Sequence, residues 1–328
     1  MDILVCGGAG YIGSHVLKKL RAEGHHCQAL DNFSTGHPWA LLGTPCHTVD
    51  ILDKTALNDV FARNHFDVVM HFCALSLVGD SVIQPARYYE NNVSGTLNLL
   101  QAMTRHGVNR LVFSSTAAIF GEPESDLITE THPCRPLNPY GQTKLVVEQL
   151  LQYCYQAYGL SSVALRYFNA AGADPDAELG EAHDPETHLI PNILLSLLNT
   201  DKQQGFKIFG DDYPTPDGTS VRDYIHVNDL AQAHILGMEY LQDKPGAHAF
   251  NLGSQQGYSV LEVMQACEKV SGKKVNYSVT ERRSGDPARL VADSRLAQQT
   301  LGWHAEYQLQ GIIETAWQWH QSRVLGKA

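Results

Sequence analysis

Residues 2–13 read DILVCGGAGYIG. A short apolar run that ends in a glycine cluster and continues into a helical pattern is a strand, a tight turn and a helix N-terminus. Gly8-x-Gly10-x-x-Gly13 fits the dinucleotide fingerprint, and Gly7-x-x-Gly10-x-x-Gly13 fits its close variant. Glycines there let the backbone approach a pyrophosphate, and the helix N-terminus favours its charge. A second strand, CQAL at 27–30, leads into Asp31. Asp31 stands close to the distance of about 20 residues at which the fingerprint places its acid. A carboxylate there accepts from both ribose hydroxyls and repels a 2′-phosphate, which favours NAD over NADP.

The same alternation continues outward. Strands are read at 67–74 (DVVMHFCA), 110–115 (RLVFSS) and 162–168 (SVALRYF), with helices at 11–23, 85–106 and 140–158. Continuous apolar strands between helices imply an α/β fold, a Rossmann-type doubly wound parallel sheet covered on both faces. From about residue 174 the texture changes. The acidic, turn-rich stretch DPDAELGEAHDPETH reads as a solvated linker, and VRDYIHVNDLAQAHILGMEYL as a strand that becomes a helix. This divides the chain into residues 1–170, an NAD-binding domain to which a segment at about 220–250 returns, and residues 171–328, a smaller α/β substrate domain.

Of the 328 residues, 43% are hydrophobic and 18% charged, an ordinary globular composition. The formal net charge of -11 repels nucleic acid and anionic lipid. No apolar run spans a membrane, and the acid at position 2 argues against a signal peptide. Seven cysteines with no C-x-x-C pair read as free thiols of a reducing cytoplasm. Sixteen histidines show no metal-ligand spacing, so no metal is expected.

Chemistry is carried by Tyr140-Gly-Gln-Thr-Lys144 after Pro139. Tyr and Lys four residues apart share a helix face. A neighbouring ammonium favours the phenolate, and a phenol so tuned serves as a general base for a sugar hydroxyl. The strand RLVFSS runs into Ser114-Ser115-Thr116. Strand ends of this kind present the site of an open α/β sheet, so a hydroxyl there can share the substrate oxygen with Tyr140. The bland alternative for Thr116 is a local cap.

These motifs, with HFCALSLVG, NNVSGT, FSSTAAIFG, RYFNAAGA, RDYIHVNDLA, NLGS and RRSGDPA, resemble the extended short-chain dehydrogenase/reductases, and more narrowly the UDP-glucose 4-epimerases. The resemblance runs from residue 3 to about 320. It implies Tyr140 as catalytic base and acid, Lys144 as its tuning cation and Thr116 as the third catalytic residue. It implies an NAD site lined by Gly7, Gly10, Tyr11, Ile12, Gly13, Asp31, Asn32, Asp50, Ile51, Phe72, Cys73, Asn91 and Tyr167 besides Tyr140 and Lys144. With Thr116 and Tyr140, the UDP-sugar would be held by Asn169, Leu189, Lys207, Phe209, Arg222, Arg283 and Asp286. Arginines suit a diphosphate because they offer paired donors. Leu290 would gate the pocket beside the sugar's 2-position and disfavour N-acetylated sugars. A homodimer built from the helices at 85–106 and 140–158 is also implied, with Leu97, Leu99, Leu100 and Met103 as an apolar face; the rival reading is that this face covers the sheet.

The sequence departs from the family at three places. Ser76 replaces a Lys of some members, His188 an Asn beside the substrate, and Cys73 a common Ala. Three rival functions remain. A 4,6-dehydratase would carry acids after the Thr, where Ala117 and Ala118 stand. A 4-epimerase of pentoses, uronates or N-acetylhexosamines shares the motifs. A catalytically silent NAD-binding sensor would not need Thr116, Tyr140 and Lys144.

Overall fold

The computed structural model describes residues 1–198, 205–282 and 286–325. The first half runs β1 (Asp2–Cys6), α1 (Tyr11–Ala22), β2 (His26–Asp31), β3 (Cys46–Thr48), α2 (Lys54–Arg63), β4 (Val68–His71), α3 (Val78–Ile83) and α4 (Pro85–Tyr88). A π-helical segment, Tyr89–Gly95, leads into α5 (Thr96–Arg105). Then come β5 (Arg110–Thr116), α6 (Pro139–Tyr158) and β6 (Ser161–Tyr167). The second half runs β7 (Asn169–Ala171), α7 (Leu189–Leu198), β8 (Phe206–Phe209), β9 (Val221–His226), α8 (Val227–Asp243), β10 (Ala247–Leu252) and β11 (Gly257–Ser259). It ends with α9 (Val260–Ser271), β12 (Tyr277–Thr280), β13 (Arg289–Leu290), α10 (Arg295–Leu301) and α11 (Leu309–Leu325).

Seven strands form one parallel sheet in the order β3-β2-β1-β4-β5-β6-β10. Alternate side chains of each strand feed opposite layers. Ile3 and Val5 of β1 join Val16 and Leu17 of α1 and Leu230 and Ile235 of α8. Leu4 and Cys6 join Leu57 of α2, Leu99 and Leu100 of α5 and Val147 of α6. Both faces are therefore apolar, as the doubly wound reading requires. β1 lies between β2 and β4, so the chain reverses its winding there and opens a crevice at the carboxyl ends of those strands.

The first apolar layer also takes in Ala297, Leu301 and Trp303, which the sequence division leaves in the second unit. The Trp303 indole donates to the Asp229 carbonyl at 2.9 Å. The smaller lobe gathers β7, β11 and β13 around β9, and β12 beside β8. Its core joins Ile193 and Leu194 of α7, Val263 of α9 and Ile312 and Ile313 of α11.

β3 is three residues long, too few to show a period in the sequence. Two expectations need correction. The helix expected at 85–106 is interrupted by the π segment. There Asn92 turns its amide to the Leu75 backbone (2.9 and 3.0 Å) and to Thr143 Oγ1 (3.1 Å). Finally, Leu99, Leu100 and Met103 are at most 2% exposed and cover the sheet; only Leu97 faces outward.

Candidate active site

The glycine turn sits at the crevice. Gly7 takes φ +81°, and its amide donates to the Leu30 carbonyl at 2.7 Å. A Cβ there would lie 2.8 Å from the Phe72 carbonyl carbon and 2.9 Å from the Cys73 nitrogen. Only glycine lets the turn lie against the end of β4. Gly10 caps α1 without a side-chain partner, and the first turn, which includes Tyr11, Ile12 and Gly13, has no acid. Its amides and the helix dipole are thus open to an anionic group. The Tyr11 phenol donates to the Gly172 carbonyl at 2.6 Å, which ties this turn to the second lobe.

Asp31 ends β2 and is buried; it accepts from the Ala9 amide (3.0 Å) and the Phe33 amide (2.8 Å). Burial raises its pKa. The Asn32 amide donates to Asp50 at 2.8 Å, and Ile51 packs against Gly95. Asn91, in the π segment, donates to the Asn92 side chain at 2.9 Å. A glycine cradle, an uncapped helix start and a carboxylate at the end of β2 fit a dinucleotide with free ribose hydroxyls.

Tyr140 opens α6. Asn138 accepts from the Gly141 amide at 2.9 Å, and Pro139 takes the first turn, where no amide is missed. A Cβ on Gly141 would lie 2.3 Å from the Ala118 carbonyl oxygen, so the helix start can abut the turn after β5. That contact brings the Tyr140 phenol up to the Thr116 hydroxyl, which favours the phenolate. Thr116 also caps the turn through the Ala118 amide at 3.1 Å. Lys144 is buried, donates to the Ser114 carbonyl at 2.7 Å and lies 4.8 Å from the Phe113 ring centre. Ser114 and Ser115 turn elsewhere: Ser114 bonds the Tyr167 phenol, and Ser115 donates to Glu148 at 2.5 Å.

The electrostatics differ from the sequence argument. Burial pushes the Tyr140 phenol up to about 12, although Thr116 works against it. Burial also lowers Lys144 to about 7, with Cys73 and Glu148 opposing. In the protein alone, desolvation outweighs the help that a lysine gives a phenolate. A phenolate at Tyr140 therefore needs a further positive charge beside it.

On the second lobe, Asn169 donates to the Asp223 carbonyl at 2.9 Å, and Leu189 begins α7. Lys207 and Phe209 share the exposed face of β8, with Ile208 buried between them. Arg222 grips Asp286 and donates to the Val221 carbonyl at 2.7 Å. Leu290 pairs with Arg222 in the β13–β9 ladder and packs against the cluster of Ala117, Ile119 and Phe120. Arg283 lies outside the described residues.

Residues 3–253 match the NAD dependent epimerase/dehydratase family. A UDP-glucose 4-epimerase of Halalkalibacterium halodurans is 49% identical over 99% of this chain and 97% of that protein. The chain belongs to this family, among its UDP-glucose 4-epimerases. Solved relatives agree. The UDP-glucose 4-epimerase of Brucella ovis in complex with NAD is 46% identical over 97% of both chains, with a TM-score of 0.93. That of Bifidobacterium longum in complex with NAD+ and UDP is 37% identical over 99% of this chain and 100% of that one, with a TM-score of 0.94.

Sequence reading missed two groups beside this epimerase site. Glu148 and Arg166 form a buried two-point ion pair (2.6 and 3.1 Å) behind Ser115. Glu148 falls one turn after Lys144, which is the signal that could have found it. The second group lies in the stretch read as a solvated linker. Asp174, Leu179, Gly180 and Glu181 are buried there, because the segment folds back on itself through the Ala173–Gly180 bridge. Glu181 and Glu186 meet His183 and His188 in it. The carboxylates raise His183 to about 9 and His188 to about 10 against the opposing cost of burial.

Proposed function

We propose that the protein interconverts UDP-galactose and UDP-glucose through a transient 4-keto sugar, with NAD as a retained cofactor. The observation that carries this reading is the start of α6 abutting the turn after β5, which sets Tyr140 beside Thr116, with Lys144 buried one turn along α6 and donating to the Ser114 carbonyl at 2.7 Å. Carbon 4 is not acidic, so inversion requires oxidation and reduction. NAD, when bound, supplies a hydride acceptor that returns the hydride, and a positive ring that favours a phenolate nearby. Tyr140 takes the proton of the 4-hydroxyl and gives it back after the flat sugar has turned. Thr116 holds the same oxygen. Lys144 steadies the charge on Tyr140 and reaches the nicotinamide ribose. Gly7, Gly10 and the α1 N-terminus hold the pyrophosphate, and Asp31 holds the adenosine ribose. Arg222 and Arg283 hold the diphosphate, with Asn169, Leu189, Lys207, Phe209 and Asp286 around the nucleotide-sugar.

Ala117 and Ala118 offer no acid for chemistry at carbon 5, which favours epimerisation over dehydration. The test is turnover of UDP-galactose with no added NAD, together with the mass of the cofactor released on denaturation. A silent sensor would release NAD without turnover.

The same reading includes a homodimer through the helices at 85–106 and 140–158. Its support is the exposed apolar side chains Leu97 (38%), Tyr153 (67%) and Tyr158 (64%) on these helices, with Val82 and Ile83 exposed just ahead of the first. A monomer by light scattering at micromolar concentration would sink it. No helix among the described residues is long and apolar enough to cross a membrane. Seven free cysteines favour the cytoplasm as the setting, and a UDP-galactose substrate makes the reaction a step of galactose metabolism.

A further inference from the structure

Glu181 and Glu186 are side chains 4% and 8% exposed. Two carboxylates in such a place need compensating positive charge. Among the described residues no lysine or arginine forms an ion pair with either. Their partners are two imidazoles, each presenting its Nδ1. His188 Nδ1 lies 2.7 Å from Glu181 Oε1 and 3.2 Å from Glu186 Oε1. His183 Nδ1 lies 3.2 and 3.8 Å from the same two oxygens. His183 Nδ1 is also sealed from solvent and makes no well-formed hydrogen bond.

We propose that Glu181, His183, Glu186 and His188 form a binding site for one divalent transition-metal cation, with zinc the best match. Zinc takes imidazole nitrogen and carboxylate oxygen at about 2.0–2.2 Å, so a tetrahedral site has ligand–ligand edges of about 3.3–3.6 Å. The four nitrogen–oxygen separations scatter around that value, between 2.7 and 3.8 Å. Two carboxylates balance the double charge, and neutral imidazoles complete the donor set. The partly exposed His188 edge leaves a path for entry. The backbone around the ligands is held from two sides. The Trp319 indole donates to the Glu181 carbonyl at 2.9 Å, and His37 Nε2 lies 2.8 Å from the Ala182 carbonyl. A bound cation would clip residues 181–188 into one loop, ahead of Leu189 at the start of α7. The site itself does not depend on the epimerase reading; only an effect on UDP-sugar binding through Leu189 does.

The competing account is an ion quartet in which both imidazoles are protonated. Metal content distinguishes them. Untagged full-length protein, exposed to zinc and passed through gel filtration, should retain about one zinc per chain by elemental analysis. Cobalt should give the visible bands of a tetrahedral site without a sulfur charge-transfer band. His188→Gln and Glu186→Gln should each lose at least ten-fold in zinc affinity. Circular dichroism checks that these variants fold; if one does not, the stoichiometry and cobalt spectrum of the unaltered chain decide. No retained zinc, a sulfur-ligated cobalt spectrum or undiminished binding in both folded variants would overturn the site. Because the readout is metal content, failure of the epimerase reading would leave the result intact.

Discussion

The ammonium of Lys144 donates to the Ser114 carbonyl at 2.7 Å and lies 6.0 Å from the ring centre of Tyr140. The lysine is thus anchored to the strand that carries Thr116, and its charge stands beside the phenol rather than on it. Tyr140→Phe should keep the fold and the NAD but lose the proton acceptor. General acid–base groups contribute about 10²–10⁴-fold, so kcat should fall within that range. Retention of a tenth of the original rate would show that another group is the base.

The Glu148–Arg166 pair should be costly to break. Both side chains are at most 10% exposed. Removing one partner of a buried pair costs about 3–5 kcal/mol, because the other charge is stranded. Glu148→Gln should lower the urea midpoint accordingly, and Glu148→Met combined with Arg166→Met should recover much of the loss. Equal midpoints for Glu148→Gln and the unaltered protein would contradict this.

Asp31 holds the Ala9 and Phe33 amides, and the proposed function gives it a second task at the adenosine ribose. Asp31→Ser should weaken NAD and narrow its advantage over NADP. Competition between the two cofactors, read by mass after denaturation, measures the gap. NADP in the unaltered protein would refute the assignment.

Acid should destabilise the protein partly through His234. It is fully buried, its ring lies 4.8 Å from that of Phe72, and burial lowers it to about 4. The folded chain keeps this imidazole neutral where the unfolded chain protonates it, near 6.5. The group's stabilisation is complete above pH 6.5 and is lost as the pH falls toward 4. His234→Phe should make the fall shallower by about 1.4 kcal/mol per pH unit across that window. Parallel stability–pH curves for the two proteins would rule it out.

Leu290 should set sugar size. It packs against the turn that follows Thr116. An apolar branched side chain cannot donate to an acetamido carbonyl, so plain UDP-hexoses should turn over faster. Leu290→Ser should raise activity on UDP-N-acetylglucosamine. Equal rates on UDP-glucose and UDP-N-acetylglucosamine before any substitution would remove the argument.

What was legible in the sequence is what lies close along the chain. The turn at Gly7, the carboxylate of Asp31 and the Tyr140–Lys144 spacing are local patterns, and each appears where its period or fingerprint puts it. Leu99, Leu100 and Met103 were legible as an apolar face but not as to what covers them, since a period is silent about the partner. Glu148 and Arg166 meet only after β5 and β6 have paired and α6 has docked. Residues 181–188 hide their chemistry for a similar reason. Acidic turn formers resemble a solvated linker until Trp319 and His37, far away in sequence, close over them.

The outer strand of the large sheet is made late. β10 covers the edge of β6, and all seven residues of β6 are buried in the finished protein. During synthesis that edge stays open until residues 247–252 have emerged, while most of the second lobe is already being built. A fragment stopped at residue 170 would leave the backbone edge of β6 with nothing to pair, a ready template for aggregation. The large sheet is therefore closed only by chain that is made after β7, α7 and β9 of the second lobe.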